Sequence, residues 1–297
     1  MLDFSKIKTY SIKTRLSKEI LANFFDINKE YPLLPDKNLP ILAEKIITAY
    51  KNQKKVIFMM GGHVLKVGCV PFIIDLVKRG VIGHVAVNGS LPIHDFEIAL
   101  IGETSEDVAK SIEDGSFGMS EETGCMINEA IIHGAKKHLG MGESIGKMIA
   151  EKNLPFKESS LSYWTYTKKI PFTVHTAIGT EIIYQHPKCD GAAMGQTSYK
   201  DFKILANSLA QLEDGVVVNI GSAVIMPEVF LKAFTVVRNL NYQVKNFTAA
   251  NMDMIKHYRP TVNVVERPTS LGGLGLSIIA KHEETIPTLY QLIIKAL

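Results

Sequence analysis

The stretch "GVVVNIGSAVIMPEVF", Gly215 to Phe230, decides how the fold is read. A run of β-branched residues stops at a glycine, and apolar residues then restart at helical spacing. The run fits a strand buried on both faces, as in a parallel sheet, and the glycine-serine turn leads into a helix with Pro227 and Glu228 in its first turn. The same unit recurs outward from it. "KKVIFMMGG", "GHVAVNGS", "IPFTVHTAIG", "VKNFTAAN", "PTVNVVE" and "LSIIAKHE" are predicted strands, while "CVPFIIDLVKRG", "YKDFKILANSLAQLEDG" and "PEVFLKAFTVVRNL" are predicted crossover helices. This alternation predicts an α/β fold, a Rossmann-like, doubly wound, mostly parallel sheet with flanking helices.

With 297 residues, 46% of them hydrophobic, the chain buries a large core without disulfides. Its 33 basic and 30 acidic residues are scattered, with no basic tract, which argues against a nucleic-acid partner. Cys69, Cys125 and Cys189 stand alone at wide spacing, as expected in a reducing, cytoplasmic setting. "MLDFSKIKTYSIKTRLSKEI" lacks the continuous apolar centre of a signal peptide, and no run reaches the roughly 18 apolar residues of a membrane span. Residues 1–50 read as an N-terminal helical segment, with "LSKEILANFF" (Leu16 to Phe25) and "LPILAEKIITAYKN" packing on the core or on a partner subunit. Residues 51–297 read as one domain with a helical elaboration at about 101–158, where Thr104 or Ser105 caps a solvated helix.

Ligands of parallel α/β sheets sit at the carboxyl ends of the strands, so the residues after each strand carry the information. They are Gly61, Gly62 and His63; Asn88, Gly89 and Ser90; His175, Thr176 and Gly179; Asn219, Gly221 and Ser222; Thr248 and Asn251; and Lys281, His282 and Glu283. A single glycine there is explained by the turn alone. The set makes a crest of small donors suited to a phosphate-bearing or dinucleotide ligand, although no G-x-G-x-x-G or P-loop pattern occurs. Of nine histidines, His133 and His138 are read as solvated on a charged helical stretch, and His84, which starts a strand, and His257, read as preceding one, as structural. His63, His94, His175, His186 and His282 fall at or beyond strand ends, where an imidazole acts as acid, base or donor. "HDFE" and "KHEE" offer mixed nitrogen and oxygen donors without the i, i+4 histidine pair of a helical zinc motif, and no metal site is assigned. Trp164 is read as packing a helix on the sheet.

The order and spacing of these segments resemble deoxyhypusine synthase over much of residues 54–290. "GHVLKVGCVPFIIDLVKRGVIGHVAVNGSLPIHDFEIAL" has the layout of the family's first two turns, with Gly68 at a helix start and Asn88, Gly89 and Ser90 at the second turn. "SSLSYWTYTKKIPFTVHTAIGTEIIYQHP" is similar to its tyrosine-tryptophan helix and the segment ending in a substrate-contacting histidine, matched by His186. "NIGSAV" resembles the family's glycine-rich strand end, and "NFTAANMD", with Thr248 and Ala249, the turn next to NAD. The resemblance implies an NAD cofactor, an amine or polyamine substrate and a homotetramer.

The chain departs from that family where the chemistry is done. Ile225 stands where the family's imine-forming lysine belongs, and no lysine occurs between Lys203 and Lys232. "HTAIGTE" replaces the acidic loop and leaves Glu181 as the nearest carboxylate. The expectation is a deoxyhypusine synthase-like, NAD-dependent enzyme that moves hydride from a small amine without the covalent lysine step. His175, His186, His282 and Glu181 are the catalytic candidates, with Lys66 or Lys281 as replacement lysines. The cofactor candidates are His63, Gly68, Asn88, Gly89, Ser90, Gly221, Ser222, Thr248 and Ala249. Alternatives are a non-catalytic NAD or nucleotide sensor and a metal-assisted hydrolase.

Overall fold

Six parallel strands form the centre of the computed structural model, which describes residues 2–297. They are β2 (Val56–Met60), β3 (His84–Asn88), β5 (Phe172–His175), β6 (Val216–Ile220), β7 (Thr248–Asp253) and β8 (Leu274–Ile279), ordered β5-β3-β2-β6-β7-β8. In their own chain order this is 3-2-1-4-5-6, the Rossmann arrangement. A separate antiparallel ribbon pairs β1 (Ser17–Ile20) with β4 (Glu103–Glu106).

The helices are α1 (Asn38–Lys51), α2 (His63–Lys66), α3 (Val70–Lys78), α4 (Ser90–Ile101), α5 (Val108–Ser111), α6 (Glu121–Lys136), α7 (Met141–Glu151), α8 (Leu161–Thr167), α9 (Gly191–Leu209), α10 (Ile225–Asn239), α11 (Tyr258–Pro260) and α12 (His282–Ala296). Alternate residues of the fully buried β2 feed two cores. Phe58 and Met60 pack in the core holding α1, α3 and α12, while Ile57 and Met59 meet Leu205 and Leu209 of α9 and Phe230 and Phe234 of α10. Edge strand β5 is closed by α9. Asp201 Oδ2 accepts from Val174 N at 2.8 Å and Gly142 N at 3.0 Å, and Ser198 Oγ donates to Val174 O at 3.0 Å.

Several predicted elements differ. Leu16 to Phe25 is not a helix, because Ser17–Ile20 alternates half-buried and exposed residues against β4 and Leu21–Asn23 adds only a 3₁₀ turn. Thr104 and Ser105 cap nothing; they are the buried middle of β4. "PTVNVVE" is not a strand. Thr261–Glu266 is a π-helical turn following α11, with Asn263, Val264 and Val265 buried in succession where a strand would alternate. His257 therefore precedes a helical turn. Trp164 joins α8 to α3, its ring 4.1 Å from the Lys78 ammonium.

Candidate active site

The switch point of the sheet lies between β2 and β6, whose connections leave for opposite faces. Gly61 N donates to Ile220 O at 3.1 Å, and a Cβ on Gly61 would strike the carbonyl oxygen of Gly221. Gly221 has φ +62°, and a Cβ there would sit 2.6 Å from His282 Nε2. Both positions thus require glycine. Asn219 Nδ2 donates to Ser222 O at 3.0 Å and Asn251 Oδ1 at 2.7 Å, tying the turn after β6 to β7. Ser222 Oγ accepts from Met226 N at 3.2 Å at the start of α10. The crevice floor is consequently main chain, which a pyrophosphate can approach closely.

His282 opens α12 behind Gly221, fully buried, with both ring nitrogens lacking a protein partner. Burial lowers its pKa, opposed by the charge of Asp253 at the end of β7. The His63 ring, on α2, lies 5.5 Å from it.

A cavity of about 190 Å³ adjoins the crevice on the β3 side, with Arg15, Lys66, Ser90, His94, Glu97 and Glu181 among its walls. Gly62 joins the two, since a Cβ there would lie 2.7 Å from Ser90 Oγ and 3.2 Å from His94 Cδ2. Ser90 Oγ donates to Asn88 Oδ1 at 2.9 Å, which holds the entry of α4. The Glu181 carboxyl packs over Gly89, its Oε2 has no partner, and burial raises its pKa. At the back wall Arg15 grips Glu97 with two bonds, 2.7 and 2.9 Å, the side chains 4% and 2% exposed. Glu97 also accepts from Thr123 Oγ1 at 2.9 Å and Thr104 Oγ1 at 2.6 Å, and Thr104 Oγ1 lies 2.8 Å from His94 Nδ1.

The fold thus brings His63, Gly221, Ser222 and His282 to the crevice, and Asn88, Gly89, Ser90 and Glu181 to the cavity or its rim. Other predicted residues lie elsewhere. Thr248 and Ala249 begin β7, at the opposite end of the sheet from Asp253, because the strand runs past them for roughly 16 Å. Gly68 presses against the Phe24 backbone of the N-terminal arm. His186 packs on Gly124 of α6 and pairs with Glu121 at 3.2 Å. His175 ends a buried chain, Ser208–His84–Thr173–His175, whose bonds are 2.7, 2.9 and 3.0 Å, and burial pushes its pKa down to about 3. Lys66 reaches the cavity wall, whereas Lys281 is exposed ahead of α12. Arg15 and the Thr104–Glu97 pair were absent from the sequence-based site. The "HDFE" motif was the signal nearest to them.

No family model and no curated protein matches the chain. Solved structures do match. The ternary complex of AgrE with ornithine and NAD+ superposes with a TM-score of 0.56 at 14% identity, covering 90% of this chain and 34% of AgrE. A conserved protein of Methanococcus maripaludis S2 assigned as LOR/SDH gives 0.53 at 15%, covering 91% of this chain and 73% of that one. A protein of Entamoeba histolytica assigned as a deoxyhypusine synthase gives 0.52 at 10%, covering 92% and 96%. The chain spans about a third of AgrE. The shared property is the fold, a Rossmann-like parallel sheet flanked by helices. Among the described residues no helix is long and apolar enough to cross a membrane, and no three His, Cys, Asp or Glu side chains converge as metal ligands.

Proposed function

We propose that the protein binds NAD across the switch point and oxidises a small amine seated in the adjoining cavity, as a divergent deoxyhypusine synthase-like enzyme without the covalent lysine step. The observation that carries this reading is the 3-2-1-4-5-6 sheet with Gly61 lodged beneath Gly221 at its crest. AgrE, crystallised with ornithine and NAD+, shares that fold, which supports an amine and this cofactor together. NAD when bound supplies the hydride acceptor. The chain's own part is to hold the substrate: Glu181 faces its ammonium, and the cavity has the volume of about six waters, which favours a short amine over a long polyamine. Val224, Met254, Ile255 and Ile279 stand exposed around the crest, a surface a second copy would cover in the homotetramer that the resemblance implies.

Absorbance of reduced nicotinamide, followed with NAD+ and putrescine, agmatine, spermidine or ornithine, tests the reading. Reduction with at least one short amine is expected. Binding of NAD with no reduction by any amine would instead favour a non-catalytic sensor, the reading to which Ile225, the first residue of α10, lends support.

A further inference from the structure

We propose that His94 is the general base of this site: its Nε2 takes a proton from the water that adds to the iminium carbon left when hydride departs. The proposal rests on the NAD-dependent reading above and specifies how the missing lysine is replaced. The hydrogen-bond pattern fixes the state of the ring. Arg15, which can only donate, engages both Glu97 oxygens, so these accept and the single hydroxyl proton of Thr104 points to Glu97. Thr104 Oγ1 can then only accept from His94, which places the proton on Nδ1 and leaves Nε2 as a bare lone pair. No hydrogen bond within the protein engages Nε2, and the ring is only partly buried. The neighbouring Cδ2 is the ring atom nearest the Gly62 position, where cavity and crevice meet, and His94 lines the cavity.

The charges around the ring set what it can do. Lys66, Arg15 and Glu97 face it, and Glu106 and Glu181 line the same cavity. Burial, aided by Lys66 and Arg15 and opposed by Glu97, lowers its pKa to about 4. Hydride leaves only from the free amine, so the bound alkylammonium, titrating near 10, first gives its proton to solvent water and not to such a base. The attacking water does protonate His94, because it becomes strongly acidic as its oxygen bonds to a cationic carbon. The step balances: the C–O bond forms, the water proton goes to Nε2, and a neutral carbinolamine remains. The imidazolium then returns that proton as the C–N bond breaks, giving a carbonyl product and ammonium. The nucleophile must come from outside, since Ile225 occupies the family's lysine position.

Full-length protein labelled with nitrogen-15 histidine tests the ring directly, with His94→Asn, whose amide keeps the bond to Thr104, assigning the signals. At pH 7 an unprotonated Nε2 and a protonated Nδ1 are expected, and Thr104→Val should mix the tautomers. Ammonium should appear in step with reduced nicotinamide, and His94→Asn should lower kcat by about 100-fold or more with the NAD Kd unchanged. A protonated Nε2, a native kcat in His94→Asn, reduction without ammonium, or a wild-type chain that binds NAD but reduces it with no amine would each overturn the proposal. A wild-type chain that fails to bind NAD overturns the parent reading and this one together, and calorimetry separates that case from the others.

Discussion

Gly61 lies so close beneath the carbonyl oxygen of Gly221 that no side chain fits between the ends of β2 and β6. The contact joins the two halves of the sheet where their connections diverge, and it leaves main chain facing the crevice. Gly61→Ala must push the two turns apart, and overpacking of this kind costs about 1–3 kcal/mol. A lowered thermal midpoint is expected, together with weaker NAD binding in the protein that remains folded. Native affinity in a folded Gly61→Ala protein would remove this contact from the site.

The Arg15–Glu97 pair is buried on both sides, so loss of one partner strands the other charge. Arg15→Met or Glu97→Gln should each destabilise the protein by about 3–5 kcal/mol in urea unfolding. The double variant should cost less than the sum of the two, because neither charge is then left alone.

Asp201 carries a pH dependence of definite sign. Burial raises its pKa from 3.8 to about 8, so the folded chain holds a proton there that the unfolded chain releases. Stability contributed by this group is full below about pH 4 and is lost as pH rises towards 8, at no more than about 1.4 kcal/mol per pH unit. Asp201→Asn retains an acceptor for Val174 N and Gly142 N and cannot ionise. Its stability should vary less than the wild type's between pH 5 and pH 8, measured by denaturant midpoints across that range.

Gly89 seats Glu181, as a Cβ there would displace the carboxyl. Gly89→Ala should raise the KM for the amine several-fold while leaving the NAD Kd near its native value. Loss of NAD binding instead would place the cofactor against this turn.

The parallel sheet was legible because strands buried on both faces leave unbroken β-branched runs, as in Val216–Ile220. The same composition misled at Thr261–Glu266, where Val262, Val264 and Val265 belong to a π-helical turn. The crevice was legible too, since Gly61 and Gly221 end strands. The cavity was not. Its back wall depends on Arg15 meeting Glu97 across 82 residues of chain, a pairing with no local pattern, and on Thr104 sitting in a ribbon strand that reads as a helix start. Thr248 and Ala249 were misplaced because a sequence run does not show how far a strand continues beyond them.

Calorimetric titration of the wild-type chain with NAD+ tests the central claim most directly. One saturable site per chain is predicted, with the affinity weakened in Gly61→Ala. No binding at millimolar NAD+, or equal binding by both proteins, would contradict a cofactor site at the switch point.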